Sequence, residues 1–240
     1  TNAPKNALGR FRPFLNLGVH YMEKGSYQIS YNNLMTARKM DAPKGSASFN
    51  LGIVLMKLKK PEEALLAFDQ AESEGFVALT SLNFQKAESL LVLGKVNEAL
   101  LSYSVALEST DGSGSIPEEF EKFKNAIHAK RGQIAMTARR YDLAIDDYLY
   151  LSKINKNSAE IKYKLGMAYT GAGKTGLSVD IFNDLIKSEE NPIYYYGRSM
   201  AKFKAGDKVS GFVDLDRAIA LVPQNQNFKW EINHRKPNKK

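Results

Sequence analysis

The stretch FLNLGVHYMEKGSYQISYNNLMTARKMDAP, residues 14–43, decides the fold. Phe14, Leu17, Gly18 and Tyr21 recur at the spacing of one helical face, and Tyr27, Ser30, Leu34 and Ala37 do so again after a turn glycine at Gly25. In a 34-residue frame these residues stand at positions 4, 7, 8, 11, 15, 17, 20, 24 and 27. The small residues at 8 and 20 let two antiparallel helices approach closely, and the large ones fill the space between them. The second helix, about Tyr27–Met40, is expected to end before Ala42-Pro43, where proline blocks continuation.

The frame recurs. Repeat two carries Leu51, Gly52, Leu55, Leu58, Pro61, Ala64, Phe68 and Ala71, with Pro61 suited to a first helical turn and Glu62-Glu63 placed against the positive helix end. Repeat three carries Ala87, Leu90, Leu93, Gly94, Val96, Ala99, Tyr103 and Ala106, but Lys86 at position 7 departs from the pattern and is expected to weaken its first helix. Repeat four has Gly132, Ala135, Tyr141, Ala144, Tyr148 and Leu151; repeat five has Leu165, Gly166, Tyr169, Gly173, Ser178, Phe182 and Leu185. Repeat six has Tyr195, Ser199, Gly206, Gly211, Leu215, Ala218 and Pro223. Successive spacings are 34, 35, 45, 34 and 33 residues. The long spacing holds an insertion: a flexible run at 110–115, then a helix start in which Pro117, Glu118 and Glu119 extend the next helix from about Pro117 to Arg139.

This pattern resembles the tetratricopeptide repeat, a helix–turn–helix unit of 34 residues. The resemblance implies an all-α, right-handed superhelical solenoid of six repeats. Their approximate bounds are 11–43, 45–78, 80–109, 117–156, 159–191 and 192–223. Residues 1–10 are expected to be a flexible lead-in, and 224–240 a C-terminal cap, with Phe228 and Trp230 covering the apolar end, followed by a basic tail.

Composition agrees with a folded domain, at 43% hydrophobic and 25% charged over 240 residues. No run approaches the roughly 18 apolar residues needed to span a bilayer, and with no cysteine there is no disulfide or thiolate metal site. The net charge of +8 sits mostly at the ends, +3 in residues 1–13 and +4 in 224–240, which leaves the body near +1 and argues against nucleic acid. The chain starts at Thr1, so a natural start with a signal peptide or anchor has room to have been removed. A bacterial cell-envelope location is the expectation, with the cytoplasm as the alternative.

No enzyme chemistry emerges. Gly171-Ala172-Gly173-Lys174-Thr175 imitates the end of a phosphate-binding loop, but Ala168 stands where the first glycine belongs and the run is the inter-helix turn of repeat five. His20, His128 and His234 lie on separate segments without partners at ligand spacing, and the adjacent pairs Asp146-Asp147 and Glu118-Glu119 read as solvated faces. No nucleophile–base set, metal or cofactor is expected.

The resemblance implies instead that inward positions of each first helix line a concave groove. In this chain those are Leu15, Val19 and Met22; Phe49, Asn50, Ile53 and Met56; Phe84, Glu88 and Leu91; Ala129, Gln133 and Met136; Tyr163 and Met167; and Tyr196, Met200 and Phe203. Family members that clamp a C-terminal carboxylate need two Lys, two Asn and one Arg, of which only Asn50 is present; Leu15, Val19, Ser81 and Gln85 occupy the other places. An apolar, Met-rich face suits an amphipathic helix or apolar peptide, which makes the chain a protein-interaction scaffold or adaptor. The alternatives are a hydrophobic small ligand, or self-assembly in which a chain terminus fills the groove of a second copy.

Overall fold

The computed structural model describes residues 11–40, 45–109 and 118–222. Among the described residues there are twelve α-helices and no strand. They are α1 (Phe11–Glu23), α2 (Tyr27–Lys39), α3 (Ser46–Lys57), α4 (Pro61–Ser73), α5 (Leu79–Val92) and α6 (Val96–Glu108). Then come α7 (Glu118–Thr137), α8 (Tyr141–Ile154), α9 (Ala159–Gly171), α10 (Thr175–Ser188), α11 (Pro192–Lys204) and α12 (Lys208–Ala220). The chain is an all-α repeat solenoid in two compact units, residues 1–127 and 128–240. The lead-in at 1–10, the insertion loop at 110–117 and the C-terminal cap lie outside the described residues.

Each repeat closes on the same turn. At frame position 15 the backbone enters the left-handed region in all six: Gly25, Lys59, Gly94, Arg139, Gly173 and Gly206 have φ between 57° and 86°. The paired hydrogen bonds of a Schellman motif fix it, as where the Gly25 N–H donates to the Met22 carbonyl at 3.0 Å and the Ser26 N–H to that of Tyr21 at 2.8 Å. The Lys59 turn is built alike, with Lys59 N–H to Met56 O at 3.1 Å and Lys60 N–H to Leu55 O at 2.9 Å. Glycine adopts this conformation without steric cost, whereas Lys59 and Arg139 pay for a Cβ there.

Within a repeat the two helices touch through the small residue at position 8 and the large one at 24. A Cβ on Gly18 would lie 2.5 Å from Leu34 Cγ, and one on Gly166 would lie 2.9 Å from Phe182 Cζ. A Cβ on Gly52 would run into the Phe68 ring. The backbone exposed by these small residues is used: Ser30 Oγ donates to the Gly18 carbonyl at 2.6 Å, and Ser178 Oγ to that of Gly166 at 2.8 Å. Around these contacts the first unit builds a core from Leu34, Leu51, Val54, Phe68 and Leu82. In the second unit Phe182, Leu185 and Tyr194 form one cluster, and Leu215 and Ala218 another.

Two expectations change. The Lys86 departure does not weaken α5, which runs unbroken from Leu79 to Val92. Its side chain, only 14% exposed, reaches Asp69 at 2.7 Å and Glu72 at 2.6 Å on α4. Burial alone would lower the pKa of the ammonium; hydrogen bonds and charge from the two carboxylates outweigh burial and raise it. Asp147, read as half of a solvated acidic pair, is fully buried, while Asp146 is exposed.

Replacing Lys59 by glycine removes the left-handed Cβ penalty at the expense of chain entropy, and Lys59→Gly is expected to stabilise by about 0.5–1 kcal/mol in urea unfolding. Gly52→Leu is expected to abolish cooperative unfolding of the first unit, measured by circular dichroism, because the Phe68 ring leaves no room for a side chain.

Candidate functional site

First helices lie side by side within each unit. In the first unit α1 packs beside α3 and α3 beside α5; in the second α9 packs beside α11. Leu15, Val19 and Met22 stand on α1, Phe49, Asn50, Ile53 and Met56 on α3, and Phe84, Glu88 and Leu91 on α5. All ten are half-buried. In the second unit Met136, Tyr163, Met167, Tyr196, Met200 and Phe203 are half-buried, and Ala129 and Gln133 are exposed.

Many of these side chains have partners inside their own unit. Leu15, Met22, Phe49, Ile53 and Met56 pack on the first core. Phe49 stacks on Phe76 with ring centroids 4.3 Å apart, and Phe84 meets Tyr103 and Phe123 edge-on at 5.8 and 5.2 Å. The Ser89 hydroxyl lies 3.0 Å from Met56 Sδ and 2.9 Å from the Gln85 carbonyl. Tyr103 donates its hydroxyl proton to Glu88, so the one carboxylate on this face is tethered to α6. Burial, reinforced by Glu88, pushes the Tyr103 pKa up and keeps it a donor. Tyr163 and Met167 pack on the Phe182 cluster, and Tyr196 and Phe203 on the Leu215 cluster. Most of these side chains are therefore anchored in the packing of their own unit and only partly accessible.

The motifs weighed for catalysis have structural occupations. Gly171 ends α9, Gly173 takes the left-handed turn and Thr175 opens α10, so the phosphate-loop imitation is a helix–turn–helix corner. A Cβ on Gly171 would strike the Tyr141 ring, which is why the residue is small. His20 is exposed, edge-on to Tyr21. His128 stacks on Tyr150 with centroids 3.9 Å apart and places Nδ1 2.7 Å from Asp147 Oδ1. Glu118 pairs with Lys122 on the helix surface. Among the described residues no group of acidic and imidazole side chains could hold a metal ion, and no helix is long and apolar enough to cross a membrane.

Sequence reasoning missed a repeated ion pair between frame positions 7 and 23. Arg131 grips buried Asp147 through Nε at 3.0 Å and Nη2 at 2.8 Å, and Arg198 grips Asp214 through Nε at 2.8 Å and Nη2 at 2.6 Å. Both partners stand 16 residues apart. Where repeat five needs no charge, Leu165 and Ile181 occupy the same two places. The carboxylate also matters to its neighbour: burial, then the Asp147 and Glu160 charges, push the Tyr148 pKa up to about 12.

Residues 15–75 match the tetratricopeptide repeat family model. No curated protein matches the sequence. Solved structures share the fold at low identity. The C-terminal part of a tetratricopeptide repeat-containing protein from Cytophaga hutchinsonii aligns with TM-score 0.61 and 12% identity, covering 91% of this chain and 83% of that one. YrrB, a tetratricopeptide-repeat protein with an unusual peptide-binding site, aligns at 0.59 and 15%, covering 84% of this chain and 96% of that one. A tetratricopeptide repeat protein from Parabacteroides merdae aligns at 0.56 and 20%, covering 88% and 79%.

Breaking a buried ion pair on one side leaves an uncompensated charge. Asp147→Ala is expected to cost about 3–5 kcal/mol in chemical unfolding, whereas the double change Arg131→Leu with Asp147→Ile, the repeat-five solution, is expected to recover most of that loss.

Proposed function

We propose that this chain, a tetratricopeptide-repeat protein, is an interaction scaffold that takes an apolar or amphipathic peptide helix across α1, α3 and α5 of its first unit. The observation that carries it is the half-burial of that whole face. Its Met and aromatic side chains are anchored from below by the core, yet retain apolar surface that water must cover. An anchored floor loses little side-chain entropy when a partner lands on it, and Met22 and Met56 adapt to differing partner shapes. Anchors on a helical ligand recurring at i, i+3, i+4 and i+7 would meet such a surface.

On this reading the chain works by binding a partner protein. Glu88 is committed to Tyr103, and Asp147 to Arg131 and His128, so neither carboxylate is available as a general base. Nothing in the charge distribution of the body supplies the phosphate-binding stripe that nucleic acid requires.

Because Met56 and Phe84 also pack inward, charges there would disturb the fold together with the surface. Val19 and Leu91 are better probes. Affinity capture from source-cell extract with the full chain, beside Val19→Glu and Leu91→Glu, tests the proposal. A protein held by the parent and lost about tenfold or more from both variants, with helicity unchanged, is the expected result. Equal capture by all three contradicts it.

A further inference from the structure

A second place on the first unit is open, on the side of the second helices. A notch of about 400 Å³ lies between α2 and α4. One stripe of α2, Tyr31, Met35 and Arg38, forms one wall; Glu63 and Leu66 of α4 form the other; Leu51 and Leu55 of α3 are the floor. The floor is sealed, with Leu51 1% and Leu55 5% exposed, whereas Leu66 stands 70% exposed on the rim.

The next junction along the chain shows one way such a notch is filled. There, Asp69 and Glu72 of α4 hold the frame places of Met35 and Arg38, and Lys86 holds that of Leu51. Lys86 rises from the floor and meets both carboxylates, at 2.7 and 2.6 Å. At the first junction the floor residue is apolar and the charge on the wall is reversed. No hydrogen bond or ion pair joins the Arg38 side chain to another described residue, while Glu63 already has Lys60 at 2.8 Å. Among the described residues the notch therefore sets a guanidinium without a charged partner above an apolar floor.

We propose that the α2–α4 notch binds a glutamate side chain beside a large apolar residue, presented by an acidic peptide segment of a partner protein. The carboxylate pairs with Arg38, whose planar fork favours a two-point contact. The aliphatic stem and the neighbouring apolar side chain cover Met35, Leu55 and Leu66. The volume fits a few side chains, not a whole helix. This site shares no residue with the α1–α3–α5 face, so each stands or falls separately.

Selection of a random peptide display library on the full chain, followed by anisotropy titration of the synthesised winners, tests the proposal. Winners are expected to carry Glu next to Leu, Met or Phe, and to lose at least about tenfold in affinity in Arg38→Glu and in Leu66→Arg while binding Val19→Glu normally. Leu66 is largely exposed, so its replacement spares the fold, and far-ultraviolet circular dichroism verifies both variants. Winners without an acidic residue, binding that survives both notch substitutions, or no winners at all would overturn it.

Discussion

The contact between a small residue at frame position 8 and a large one at position 24 sets the separation of each helix pair. Gly18 under Leu34, Gly52 under Phe68 and Gly166 under Phe182 are three instances of one geometry. That separation decides which side chains are sealed and which remain half-open. Were the helices farther apart, Phe68 and Phe182 would no longer fill the space between them. The left-handed turn at position 15 then returns the chain at a fixed angle, six times over.

The helix pairs were legible in the sequence because this contact needs residues of extreme size at fixed spacing. Turns at Lys59 and Arg139 were not, since the usual glycine signal is missing and hydrogen bonding alone holds the backbone there. Lys86 and Asp147 were misjudged for a related reason. A polar residue at a core place reads as a defect until its partner is found, and the partners lie 14 to 19 residues away on a neighbouring helix. The 16-residue offset shared by Arg131–Asp147 and Arg198–Asp214 is visible in the sequence once one pair is known.

For the candidate face, the frame told which side of each first helix a residue occupies, but not how deep it sits. Phe49 and Phe84 are as much part of the packing as of the surface, through Phe76 and Phe123, residues that lie outside the groove positions. The same logic separates the two open places on the first unit. One is a broad apolar face with its only carboxylate tied down by Tyr103. The other is a narrow notch lined by Arg38, which has no charged partner among the described residues, and the difference in chemistry would suit different parts of a ligand.

The central claim is that the α1–α3–α5 face touches another protein in the cell. Site-specific photo-crosslinking tests it most directly, with a benzophenone amino acid at Val19 in one experiment and at exposed Glu98 of α6 in a control. A discrete crosslink to a different protein from position 19, absent from position 98, is the predicted result. No crosslink at Val19, or only a crosslink within this chain or to a second copy of it, would contradict the account.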